Sequence, residues 1–109
     1  MKMMHHGIVS LSLLVLPLHA EASPQTIQKQ VVEASCGVCQ FNMTGTKCAL
    51  AIRLPQGPAL WVSGFSIDQF GDAHAADGFC QTIRKAKVSG TIVKEEFKAQ
   101  EFVLVGNTP

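Results

Sequence analysis

Four cysteines constrain the fold of this 109-residue chain more than any other feature of its sequence. Cys36, Cys39 and Cys48 lie close together, and Cys80 follows after a gap of 31 residues. If they share disulfides or a metal ion, the segment that ends at Cys80 must lie against the segment that begins at Cys36. Such links are common in exported small domains, because a short chain is only marginally stabilised by its apolar core.

The first 22 residues have the features of a secretory signal peptide. Lys2 gives a positive start, residues 8–18 form an apolar run, and the sequence AEA at 20–22 matches the small-x-small cleavage pattern. The apolar run is shorter than the roughly 20 residues of a membrane-spanning helix. We therefore expect a periplasmic or secreted protein, in which residues 23–109 form a single cysteine-rich domain without a membrane span.

The charge of residues 23–109 is nearly balanced. Eight lysines and arginines against seven acidic residues leave a net charge of +1. This balance gives no electrostatic reason to bind nucleic acid or an anionic membrane. The sequence also shows no phosphate loop, no calcium loop and no nucleophile with an evident acid–base pair. We therefore favour a protein that is not an enzyme and has no nucleic-acid partner.

Short apolar segments separated by turn residues predict a mainly β (α+β) fold. Strands are expected at 30–34, 48–54, 59–62, 91–93 and 97–105. Asp77 is placed to cap a helix over 78–87, and Phe79, Ile83 and Ala86 would share one face of it. The resulting order predicts a small five-stranded OB-like barrel with one helix between strands 3 and 4.

Two further expectations concern local structure. Residues 23–30 are polar and predict a loose lead-in, whereas the glycines around the first three cysteines predict an irregular loop. In the last strand, regular alternation would place Phe97 on one face and both Phe102 and Leu104 on the other.

Two disulfides are one interpretation of the cysteines. An even number of cysteines in an exported chain favours this arrangement, and four cysteines allow three pairings, among which the sequence does not choose. Cys80 would pair with one of the three earlier cysteines. Such a bridge closes a loop of some tens of residues and would stabilise the fold by about 3–4 kcal/mol.

A metal site is a second interpretation. The two residues between Cys36 and Cys39 allow both sulfurs to reach one ion, and Cys48, Cys80 and His74 could complete its shell. Thiolates and an imidazole suit zinc or copper. The spacing is not that of a standard zinc ribbon, because no second C-x2-C is present.

The segment GDAHAADGFC at 71–80 contains the only histidine beyond residue 22. If His74 binds a metal ion, Asp72 or Asp77 would orient its imidazole from outside the shell. In the alternative, Asp72 and Asp77 cap turns and His74 hydrogen-bonds the backbone. Both interpretations are open at the level of sequence.

Redox chemistry at the CGVC motif, residues 36–39, is a third interpretation. The C-x-x-C form is shared with thiol–disulfide exchange enzymes. In those enzymes the motif usually opens a helix within a thioredoxin-like α/β pattern. Here it follows an expected strand and leads into a glycine-rich loop, which weakens the case for catalysis.

Two blocks, CGVCQF…KCALAIR and GDAHAADGFCQTIRKAKVSG, resemble a family of small exported bacterial proteins of unknown function. The resemblance covers about residues 34–104. It implies a small secreted cysteine-rich domain and supplies no activity. The positions that it carries over are Cys36, Cys39, Cys48, Asp72, His74, Asp77 and Cys80.

Together these observations favour a small exported non-enzymatic binding protein with a Cys/His/Asp site. That site would bind a transition metal, zinc or copper, or would be stapled by two disulfides. One alternative is a thiol–disulfide redox protein that uses the CGVC motif, and another is a structural adaptor for a second envelope protein. In each case we expect the site where the CGVC segment meets the segment 71–80.

Overall fold

The computed structural model of the chain describes residues 24–106. Its strands are β1 (Gln25–Cys36), β2 (Leu50–Arg53), β3 (Ala59–Ser63), β4 (Arg84–Val93) and β5 (Glu96–Val105). One helical turn, α1 (Gly37–Gln40), follows β1, and a 3-10 helix (Ile67–Phe70) follows β3. The expected signal peptide lies outside the described residues. Within 24–106, no helix has the length and apolar character needed to cross a membrane.

The five strands close into a barrel in the order β1-β2-β3-β5-β4. Neighbouring strands are antiparallel except β3 and β5, which are parallel. Strand β1 is long enough to serve two neighbours, because it pairs with β4 from Gln25 onwards and with β2 through Cys36. The closed five-stranded OB-like barrel that the order of elements predicted is confirmed.

The helix predicted over 78–87 is absent, and that prediction was wrong. Residues 78–81 form turns, Asp77 caps no helix, and β4 begins at Arg84. Inward positions of β4 are buried and alternate with less buried ones; they are Ala86, Val88, Gly90 and Ile92. This period of two extends over ten residues, whereas the helical period rested on three apolar residues, so the strand pattern was the stronger signal.

The helical element between β3 and β4 is instead the short 3-10 helix Ile67–Phe70. A hydrogen-bonded capping box at Ser66 begins it. The Phe70 ring centroid lies 5.8 Å from that of Phe79 and 5.1 Å from that of Phe102. These rings pack the long connection between β3 and β4 onto the barrel core.

Strand β5 changes the direction of its side chains part-way along. Its pairing with β4 passes over Gln100, which is therefore the extra residue of a β-bulge. Phe97 and Phe102, five residues apart, are consequently both buried in the core, and Leu104 packs against it as well. The prediction that Phe102 and Leu104 lie on the face opposite Phe97 was wrong, because the bulge resets the alternation.

Two segments near the N-terminal end of the barrel are more regular than expected. Residues 25–30, predicted as part of a loose lead-in, belong to β1 and lie along β4. Residues 37–40, predicted as part of an irregular loop, form α1. Pairing with another strand, and not local propensity, orders the polar start of β1.

Candidate metal centre

Four cysteine side chains converge where β1 ends and β2 begins. Cys36 is the last residue of β1, Cys39 lies in α1, Cys48 precedes β2, and Cys80 lies in the turns before β4. Their sulfur atoms all lie within 4.8 Å of one another, and all four are free thiols. We call these four residues the cysteine cluster.

Backbone hydrogen bonds hold the cysteine-bearing segments together. The N–H of Cys36 donates to the carbonyl of Phe79 at 3.1 Å, and the N–H of Gly37 donates to the carbonyl of Ala49 at 3.0 Å. These bonds fix the backbone at Phe79, directly before Cys80, and at Ala49, directly after Cys48. The sulfurs therefore converge because the backbone on either side of them is paired.

Side chains add further ties between the same segments. Ser35 is fully buried. Its hydroxyl donates a bifurcated hydrogen bond to the carbonyls of Phe79, at 2.6 Å, and Thr82, at 2.8 Å. The side-chain amide of Gln40 donates to the carbonyl of Cys80 at 3.0 Å. The turns around Cys80 are thus attached to both β1 and α1.

The two residues before Cys80, Gly78 and Phe79, also help to fix its position. Phe79 is 2% exposed and belongs to the hydrophobic core. Burial of a side chain of this size contributes about 2–3 kcal/mol. Gly78 lies so close to the carbonyls of Asp72 and Ala73 that a Cβ atom would clash with both. Glycine at this position lets the turn close tightly before Cys80.

Trp61 of β3 packs over the first turn of the CGVC motif. A Cβ atom at Gly37 would lie 2.6 Å from the Trp61 ring and 2.6 Å from the Met43 sulfur. Any larger residue at position 37 would therefore force the Trp61 and Met43 side chains to shift.

The four thiols lie at different depths. Cys36 is 0% exposed and belongs to the core, Cys39 is exposed, and Cys48 and Cys80 are intermediate. The sulfurs of Cys48 and Cys80 are 2.7 Å apart. This separation is longer than the roughly 2.05 Å of a disulfide bond. It is shorter than the roughly 3.8 Å between two thiolates around a tetrahedral zinc ion. The separation therefore corresponds to neither arrangement.

Hydrogen bonding within the cluster shifts the pKa values of its thiols. Burial raises the pKa of Cys36, but hydrogen bonds from Cys48, from Cys39 and from the backbone at Ala49 outweigh burial and lower it to about 7. The hydrogen bond to Cys36, followed by partial burial, raises the pKa of Cys39 to about 11. Burial, followed by hydrogen bonds to Cys36 and Cys80, raises the pKa of Cys48. The hydrogen bonds that Cys36 receives therefore favour the thiolate form of its side chain.

The acidic and histidine side chains of the segment 71–80 lie apart from the cysteine cluster. The side chains of His74 and Asp72 are 76% and 73% exposed. The Asp72 carboxylate accepts the backbone N–H of His74 at 2.9 Å and so caps a turn. Asp77 is exposed, and its backbone carbonyl accepts from the Arg84 guanidinium at 3.4 Å. Within 24–106, the one group placed to share a metal ion consists of the four cysteines alone.

The residues that support the cluster are not among the site residues that the sequence predicts. Ser35 and Phe79 each come directly before a cysteine, and Gly37 and Gly78 lie within two residues of one. That adjacency is the only signal in the sequence that could have found them. Nothing in the sequence indicates that Trp61 would lie against the CGVC motif.

Residues 30–105, more than two thirds of the chain, match a family described as a family of unknown function, DUF6370. The chain belongs to this family. The range that matches DUF6370 begins within β1 and ends with β5, so it contains the four cysteines. Searches of curated proteins and of solved structures gave no match. Membership in DUF6370 assigns no activity, and the chemistry of the cluster must supply one.

Proposed function

We propose that the cysteine cluster binds a zinc or copper ion and that the chain is an exported, non-enzymatic metal-binding protein. The observation that carries the proposal is the approach of four sulfurs, from separate segments, to within 4.8 Å of one another. Thiolates are ligands that zinc and copper(I) prefer. Export is supported by the signal-peptide pattern at 1–22.

The donor set suits a closed site better than a catalytic one. Four thiolates fill the tetrahedral coordination of zinc and leave no position for a reactive water. Four thiolates also carry more negative charge than one divalent ion neutralises. Hydrogen bonds from the backbone at Cys39 and Ala49 to the Cys36 sulfur offset part of that charge. This arrangement supports binding over catalysis.

Thiol–disulfide exchange is supported less well by the same cluster. A reactive cysteine needs both an accessible sulfur and a lowered pKa. Here the two properties lie on different residues. Cys36 has the lowered pKa but is 0% exposed, whereas Cys39 is exposed and its pKa is raised.

Two disulfides are the second state that this geometry supports. Every pair of sulfurs lies within 4.8 Å, so distance excludes none of the three pairings. An oxidising compartment would favour the bridged form, which has no thiolate left to bind a metal ion.

Intact mass, measured under native and denaturing conditions, distinguishes the two states in protein purified from its own compartment. Metal binding predicts the fully reduced mass after denaturation, with about 63–65 Da added under native conditions. A denatured mass about 4 Da below the reduced value would mean two disulfides and would contradict the metal proposal.

Two substitutions test which residues are ligands. Cys36→Ser should lower the affinity for zinc at least about 100-fold, because it removes the thiolate at the base of the cluster. His74→Ala should keep full stoichiometry, because its side chain is 76% exposed and lies apart from the cluster. Zinc titration against a competing chelator measures both. Full retention of the ion by Cys36→Ser would overturn the proposal.

A further inference from the structure

We infer that Cys39 is the exchangeable ligand of the cysteine cluster, through which the ion passes to and from thiol-bearing molecules. This inference rests on the proposed metal site and goes beyond it, because it makes the protein a metal donor and acceptor. The exchange partner is defined by its chemistry as a thiolate sulfur, either of a small thiol or of a cysteine-containing protein.

The first support is the gradient of burial across the cluster. Cys36 is 0% exposed, Cys48 and Cys80 are half-buried, and Cys39 alone is exposed. An incoming sulfur approaches an ion held by these four ligands from solvent. The accessible side of that ion is therefore the side on which Cys39 lies.

The second support is the backbone around three of the four ligands. Cys36 lies in β1 and is paired with β2. Cys80 donates its N–H to the carbonyl of Ala73 at 2.9 Å and accepts from Gln40. Cys39 lies in a four-residue helix that has no side-chain cap. Its side chain can turn away from an ion without breaking a pairing between strands.

The third support is that the fold holds the ligand segments in place by itself. The buried Ser35 hydroxyl, the bond from Cys36 to Phe79, and the core position of Phe79 are all independent of a metal ion. Small domains that depend on structural zinc unfold when the ion leaves. Because these contacts involve none of the four sulfurs, we expect the barrel to stay closed when the ion leaves.

The exchange is a ligand substitution without oxidation or reduction. The acceptor thiol releases its proton, and its thiolate forms a bond to the ion. The bond between the ion and the Cys39 sulfur breaks, and that sulfur takes up a proton from the solvent. Further acceptor sulfurs displace the other three ligands in the same way, and each released cysteine sulfur takes up a proton, so the ion leaves with its charge unchanged.

Transfer kinetics test this inference on the full reduced chain loaded with zinc. The loaded chain is mixed with a small dithiol, or with a short peptide that contains C-x2-C, at increasing concentrations. We expect a transfer rate proportional to the acceptor concentration. Faster transfer to the dithiol would identify small thiols as the source of the thiolate, and faster transfer to the peptide would identify proteins.

Cys39→Ser should keep an ion on the three remaining thiolates and release it about tenfold faster, which corresponds to about 1.4 kcal/mol. Thr44→Ser is the matched control, because Thr44 is exposed in the same connection but offers no sulfur. Its transfer rate should equal that of the unsubstituted chain.

A rate independent of acceptor concentration, in a chain with full zinc stoichiometry, would overturn the exchange and leave the metal site intact. Failure of the unsubstituted chain to bind zinc would overturn both proposals. If Cys39→Ser takes up no ion, alkylation of the loaded unsubstituted chain decides the question. Modification of Cys39 before the other cysteines supports the inference, and modification of Cys48 or Cys80 first contradicts it.

Discussion

Cys80 follows Asp77 by only three residues, yet the two side chains have different environments. The Cys80 thiol joins three other thiols, whereas Asp77, His74 and Asp72 are exposed to solvent. Both groups consist of residues that bind metals. The difference lies in their backbone partners. Cys80 follows a residue that is bonded to β1, whereas His74 and Asp72 are bonded to each other within their own turn. Residues that can bind a metal converge on one point only where hydrogen bonds from a distant segment fix the position of their backbone.

The largest effect is expected from removing the Phe79 side chain, which attaches the segment that carries Cys80 to the core. Phe79→Ala should destabilise the fold by about 3–5 kcal/mol, as is typical of a buried phenylalanine. It should also weaken zinc binding, because the segment that carries Cys80 loses its attachment to the core. Urea denaturation and a zinc titration measure the two effects.

Phe65→Ala is the control for that experiment. Phe65 belongs to the same aromatic cluster but lies outside the cysteine-bearing segments, with its ring centroid 5.8 Å from that of Phe102. It should lose stability while its affinity for zinc stays unchanged. Equal losses of affinity in the two variants would mean that stability alone controls the site.

A smaller effect is expected from pH. The pKa of Cys36 is lowered from 9.0 to about 7 in the folded protein. Between these values the unfolded chain binds a proton that the folded chain has released, so the reduced, metal-free protein should gain stability as the pH rises from 7 to 9. The gain is at most about 3 kcal/mol and is lost as the pH falls through 7. Above pH 9 the raised pKa values of Cys39 and Cys48 reverse the trend.

Chemical denaturation at intervals from pH 6 to pH 10 measures this dependence. Cys36→Ser should abolish the rise between pH 7 and pH 9, whereas His74→Ala should preserve it, since His74 lies apart from the cysteine cluster. The same rise in both variants would show that the cluster is not its origin.

The smallest effect is expected from Asp72→Ala. This change removes the carboxylate that accepts the N–H of His74, which should cost at most about 1 kcal/mol at an exposed turn. Asp72→Asn keeps an oxygen acceptor and should cost less. Zinc affinity should be unchanged in both, and a tenfold loss in either would contradict the separation of the two regions.

The sequence predicts the barrel well because its signals are local. Short apolar segments and the turn at 55–58 mark strands β2 and β3 at nearly their observed positions, and the prediction of a strand at 30–34 falls within β1. The sequence also predicts that the four cysteines form one site, because their residue type and number indicate shared chemistry. It cannot show that His74 lies outside their cluster, because the direction of a side chain depends on the pairing of distant backbone.

The errors in strands β4 and β5 have different causes. In β4 the alternation of Ala86, Val88 and Ile92 was visible in the sequence, but Phe79, Ile83 and the basic residues suggested a helix. In β5 the bulge falls on Gln100, which has no neighbouring glycine or proline to mark it. The first error could be avoided with a longer window, whereas the second depends on pairing with β4.

The position of Trp61 makes the protein an optical reporter of its own cysteines. The chain has one tryptophan and no tyrosine, so its ultraviolet fluorescence comes almost entirely from this indole. The ring lies against Gly37, between the cluster's deepest ligand and its most exposed one. We therefore expect oxidation of the thiols, or binding of the proposed ion, to change the fluorescence of this single emitter. Such a change would allow both events to be followed in real time on the unlabelled chain.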